Sequence, residues 1–133
     1  MGWEDLRQTY MSVLSDEAFR PEIDSDGDIH FKYEGGHYFI TRNCDDGFFY
    51  ILYPAFWPID DVEELGRAVM AASNATRSTK AAKVYIDSDL KDVSATAEAL
   101  IASPSDARKF VIRALGCIRS AVESFRKEMR GGD

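Results

Sequence analysis

At 133 residues, with 45% hydrophobic and 12% aromatic side chains and only four prolines, the chain holds enough apolar material for one folded domain and too much for a disordered segment. Its net charge of −7 disfavours a general nucleic-acid binder. No window approaches the roughly 20 apolar residues a spanning helix needs, and the opening MGWEDLRQTYMSVLSDE is acidic where a secretory signal is basic. Leu6 stands where the myristoylation pattern needs Ser or Thr, so neither a membrane partner nor a lipid anchor is expected, and the localisation reads as cytoplasmic.

Trp3, Leu6, Tyr10, Val13 and Leu14 recur at helical spacing and predict an amphipathic helix over 3–14. The period then changes. After a short strand over 19–24 and an Asp-Gly turn, Ile29, Phe31 and Tyr33 alternate with His30, Lys32 and Glu34, the pattern of a strand buried on one face. A two-residue Gly35-Gly36 turn leads into a second strand, 37–43, and would set Glu34 opposite His37, Tyr33 opposite Tyr38 and Phe31 opposite Ile40. One face then carries Ile29, Phe31, Tyr33, Tyr38 and Ile40; the other carries His30, Lys32, Glu34, His37, Phe39 and Thr41. The turn NCDDG precedes FFYILY, a strand so continuously apolar that it places three large side chains on each face in either register.

In FWPIDDVEELGRAVMAASNATRS, Asp60 as N-cap with Glu63 three residues on starts a helix, whose apolar face reads Val62, Leu65, Val69 and Ala72. KVYID and VSATAEALI read as two strands around SDLKD, although the alanine-rich 95–102 also has helical propensity. Ser103, Pro104 and Asp106 start the last helix, whose apolar positions run from Ala107 and Phe110 to Phe125 and Met129. The expectation is a single α+β domain over 1–133, an antiparallel sheet with three helices in the order α-β-β-β(-β)-α-β-β-α. Only the tail RGGD reads as disordered.

Candidate chemistry is sparse. Asp24, Asp26 and Asp28 begin like a calcium loop, but counting from Asp24 puts Gly27 at position 4, Ile29 at 6 and Gly35 at 12, so the bend and the closing carboxylate are missing. A turn between strands is the better reading, and no metal site is assigned. Cys44, in a turn, and Cys117, on a helix edge, are too few and too far apart for a zinc framework. His30 and His37 share the outer face of the hairpin without standing opposite each other, and no Ser or Cys lies in a nucleophile motif. The carboxylate pairs Asp45-Asp46, Asp60-Asp61 and Asp87/Asp89 fall in turns or helix starts, where Asp is favoured for backbone reasons. No catalytic residue and no cofactor is assigned, and the chain is expected not to be an enzyme.

Two surfaces are candidates for binding. Residues 104–133 hold 7 basic and 4 acidic side chains against 9 basic and 19 acidic before them, so the last helix opposes the sign of its own domain. Arg113, Arg119 and Lys127 lie within its basic arc, which suits nucleic acid or an acidic partner. The second is the outer side of the sheet, with Phe39, Phe48, Tyr50 and Leu52, and Trp57 at its rim. Three short helices cover one face of a sheet and leave this one open, unless PAFWP and the last helix fold back over both.

FRPEIDSDGDIHFKYEGGHYFI, the long apolar strand after it, SNATRSTKAAKVYID and the terminal helix with spaced aromatics resemble the YbjN domain family over about 19–129. That family is described as candidate bacterial sensory transduction regulators, and its fold is similar to that of type III secretion chaperones, which are small, acidic, cytosolic and mostly dimeric and hold an extended client on apolar patches. The resemblance implies a homodimer with a protein client or regulatory partner. It offers no individual binding residue to carry over. The function expected is therefore a non-enzymatic protein-binding module, chaperone-like or regulatory. The alternatives are a regulator that contacts nucleic acid or an acidic partner through the basic helix, and a small-ligand sensor.

Overall fold

A computed structural model describes residues 2–41 and 47–131. The elements in chain order are α1 (Trp3–Asp16), β1 (Glu22–Ile23), β2 (Ile29–Tyr33), β3 (Gly36–Ile40), β4 (Phe48–Pro58), α2 (Val62–Ser78), β5 (Ala82–Ile86), β6 (Asp92–Leu100) and α3 (Pro104–Met129). The strands form one antiparallel sheet in the order β1-β2-β3-β4-β6-β5. This is the α+β class that the alternation of periods predicts, and 82–100 adopts the strand option at the alanine-rich stretch.

The helices stack on one side of the sheet. Tyr10 of α1 meets Phe49 of β4 edge-on at 5.8 Å, and Phe125 of α3 meets Phe56 and Trp57 of β4 at 5.3 and 5.6 Å. α3 is the central helix, with Ala107, Val111, Leu115, Ile118, Val122 and Phe125 all buried along one stripe. It starts as its sequence predicts, Ser103 Oγ accepting from the Asp106 N–H while Asp106 Oδ2 accepts from the Ala102 N–H. Phe110 lies outside the stripe and is 36% exposed.

Several local expectations are corrected. The hairpin turn is Glu34-Gly35, not Gly35-Gly36: both residues have positive φ, 50° and 79°, as a two-residue primed turn requires. Gly36 belongs to β3, paired with Tyr33, and a Cβ there would stand 2.6 Å from the Tyr53 ring. The pairs are thus Tyr33 with Gly36, Phe31 with Tyr38 and Ile29 with Ile40. The pairing is displaced by two residues, an even shift, so the side chains of β2 and β3 keep their expected faces, whereas Glu34 leaves the strand for the turn.

The strand expected at 19–24 shrinks to Glu22–Ile23, since Ala18 and Arg20 take positive φ and turn Phe19 onto Phe31 and Tyr33. In the Asp-Gly turn, Asp24 Oδ1 accepts from the N–H groups of Asp26 and Asp28. The N-cap of α2 is Asp61 instead of Asp60, accepting from the Glu64 N–H while Glu64 Oε1 accepts from the Asp60 N–H. Helix α2 also buries a different face. Ala68, Ala71, Ala72 and Ala75 pack inward, while Val62 is 84% exposed and Val69 and Met70 point out. Alanines permit the close approach to α3 and β5, and Thr76, hydrogen-bonded to Val84, fixes the rotation of the helix. The NCDDG turn, with Cys44 and Asp45-Asp46, lies outside the described residues apart from Gly47.

Candidate functional site

β4 sorts its side chains by parity. Phe49 and Ile51 are buried under the helices, and Phe48, Tyr50 and Leu52 point to the other face, Phe48 being 49% exposed and the other two half-buried. Phe39 of β3 stands directly across from Leu52. On the other flank β6 sets Thr96 beside Leu52, Glu98 beside Tyr50 and Leu100 beside Phe48. Leu100, 75% exposed, therefore extends the row Phe39, Leu52, Tyr50, Phe48 by one residue. The sequence pointed to the first four. It hid Leu100, the last outward position of a strand whose earlier outward residues Ser94, Thr96 and Glu98 are polar.

Polar groups frame the row. His30 and His37 stack at 5.0 Å with Nε2 and Nδ1 2.8 Å apart, and His30 also packs on Phe39. They sit diagonally across the corrected hairpin register, which is why neither opposes the other and yet they touch. On the far flank Lys83 Nζ pairs with Glu98 Oε2 at 2.6 Å, and Thr96 Oγ1 donates to the same oxygen. Burial pushes the Tyr85 phenol above its ordinary range, helped by the nearby Asp87 carboxylate and opposed by a hydrogen bond with Tyr50.

Trp57 does not join this face. Two extra residues on β4 between the pairs Tyr53–Ala95 and Trp57–Val93, with Ala55 at φ 49°, form a bulge whose backbone N–H donates to Ser94 Oγ. Beyond it Trp57 lies on the helix side, against Phe125.

The basic arc of α3 is partly engaged. Arg119 sits 3.8 Å from Glu34 and 4.0 Å from Glu123, Arg108 reaches Asp16 and Ser12 of α1, and Arg126 lies over the Phe56 ring. Arg113 and Lys127 are exposed and have no ion-pair partner among the described residues.

Together these features define an α+β domain built on a one-sided antiparallel sheet with an apolar row along its open face. No protein-family model matches the chain, and neither does any curated protein. Its fold is that of YbjN: the crystal structure of the E. coli protein, described as "a putative transcription regulator", superposes with a TM-score of 0.64 over 93% of this chain and 92% of that one, at 12% sequence identity. Among the described residues no helix is long and apolar enough to cross a membrane.

Proposed function

We propose that the chain is a non-enzymatic protein-binding module, regulatory or chaperone-like, that holds a protein partner on the open face of its sheet. The carrying observation is the row Phe39, Leu52, Tyr50, Phe48 and Leu100, apolar and aromatic side chains side by side on the face away from the helices. Contiguous exposed apolar surface of this kind commonly marks a contact with protein, and burying it contributes about 25 cal/mol per Å². The test is the double variant Tyr50→Ser, Leu52→Ser. It should unfold cooperatively, like the native chain, and fail to retain the partner that the native chain draws from its own cell extract at high salt. Loss of folding would make the two residues core and remove the site.

The description of the structural neighbour favours one rival, contact with nucleic acid, for which Arg113 and Lys127 offer exposed cations without an ion-pair partner among the described residues. Such binding falls steeply with salt, unlike apolar capture. Changing Arg113, Arg119 and Lys127 together to Glu should leave partner capture intact under the protein-binding reading and abolish binding under its rival.

A further inference from the structure

Small side chains leave a gap between α3 and the sheet. Phe110, Arg113, Ala114 and Cys117 recur at helical spacing and share one face of α3, over the helix side of β6, where Ala97 and Ala99 present only methyl groups. An apolar groove of about 270 Å³ opens there, with the buried Phe49 ring in its wall. Cys117 is a free, half-buried thiol in the same wall.

The charge at the groove is one-sided. The chain enters β5 through Ala81, whose φ of 65° turns it and sets Lys80 against the groove, while Arg113 reaches it from α3. Neither cation has an ion-pair partner among the described residues. The acidic residue beside them, Glu98, keeps its carboxylate on the open face of the sheet, where Lys83 Nζ and Thr96 Oγ1 hold it. Two unpaired cations beside an apolar groove are a local exception in a chain of net charge −7.

We infer that this groove is a binding site for a small carboxylate with an unbranched apolar tail, of the medium-chain fatty acid class, its tail between β6 and α3 and its carboxylate at Lys80 and Arg113. Volume sets the size: at roughly 30 Å³ per heavy atom, the share of a water molecule in its liquid, about nine tail atoms fit. Charge sets the head group, because a guanidinium matches a carboxylate with two parallel hydrogen bonds and the lysine adds a second positive charge. Burial of the tail against the alanine, phenylalanine and cysteine walls supplies the remaining affinity. The site lies on the helix side of the sheet and does not depend on the protein-binding reading of the open face.

The probe is decanoate, whose tail matches that length, titrated into the full chain by calorimetry and by protection of Cys117 from N-ethylmaleimide, with the labelled position identified by peptide mapping. Decanoate should bind and slow the labelling of Cys117. Decylamine, the same tail with the opposite charge, should bind about tenfold more weakly or worse. On overall charge alone the amine would bind better to an acidic chain, so preference for the anion isolates the two local cations. Lys80→Glu, Arg113→Glu changes two exposed side chains, should fold as the native chain does, and should reverse the preference in favour of decylamine. The comparison of the two amphiphiles in the native chain stands whether or not the variant folds. Protection by decanoate over decylamine supports the site, and reversal in the variant assigns it to these cations. No protection of Cys117, or equal protection by both amphiphiles, overturns it.

Discussion

The hydroxyl of Thr76 is bonded twice to one residue, accepting from the Val84 N–H at 2.9 Å and donating to the Val84 carbonyl at 3.3 Å. A side chain thus replaces the strand that β5 lacks on its outer side. Thr76→Val keeps the shape and leaves both backbone groups unpaired at a partly buried place, which should cost about 1–3 kcal/mol in urea unfolding. The bared edge should also cause concentration-dependent association in gel filtration. Unchanged stability together with a monomeric profile would mean that the helix body alone covers this edge.

The β2–β3 turn separates two kinds of glycine. Glu34 holds φ 50° beside Gly35 at 79°, so Glu34→Asn should stabilise the chain by about 0.5–1 kcal/mol, because Asn suits the left-handed region that Glu tolerates poorly. The exposed contact of Glu34 with Arg119, at 3.8 Å, is too weak to cancel that gain. Gly36→Ala should destabilise by about 1–3 kcal/mol, since the new Cβ meets the Tyr53 ring. Denaturation of the two variants with opposite signs checks the register itself.

Tyr38 is buried between β2 and β4, stacked on Tyr53 at 4.4 Å. Burial raises its phenol well above the ordinary tyrosine range; Tyr53 and Tyr33 add to the rise, and Arg126 opposes it. In the unfolded chain the group ionises near its usual value of about 10, so the unfolded state loses its proton first and stability falls as pH rises above that value. Tyr38→Phe should match the native chain at neutral pH and show a shallower alkaline decline. Equal alkaline slopes would contradict this account.

Alternation shows from sequence which side chains share a face within each strand, but not which face of 47–53 is buried, since three large apolar side chains fall on each; the pairing of Phe39 with Leu52 sets Phe48, Tyr50 and Leu52 beside Phe39. Register was not legible, since the choice between Glu34-Gly35 and Gly35-Gly36 turns on the crowding of Gly36 by Tyr53, seventeen positions along the chain. Two stripes competed on α2, one of Val and Leu and one of Ala. Packing distance and the bond of Thr76 to Val84 decided for alanine. Trp57 was misplaced by a bulge centred on Ala55, whose positive φ nothing in an alanine announces.

The most direct measurement of partner binding at the open face is photo-crosslinking in living cells with a benzophenone amino acid placed at Phe48 in one variant and at Lys127 in another. The account predicts a discrete protein adduct from Phe48 and none from Lys127. An adduct from Lys127 alone, whether protein or nucleic acid, would contradict it and move the binding surface to the basic helix.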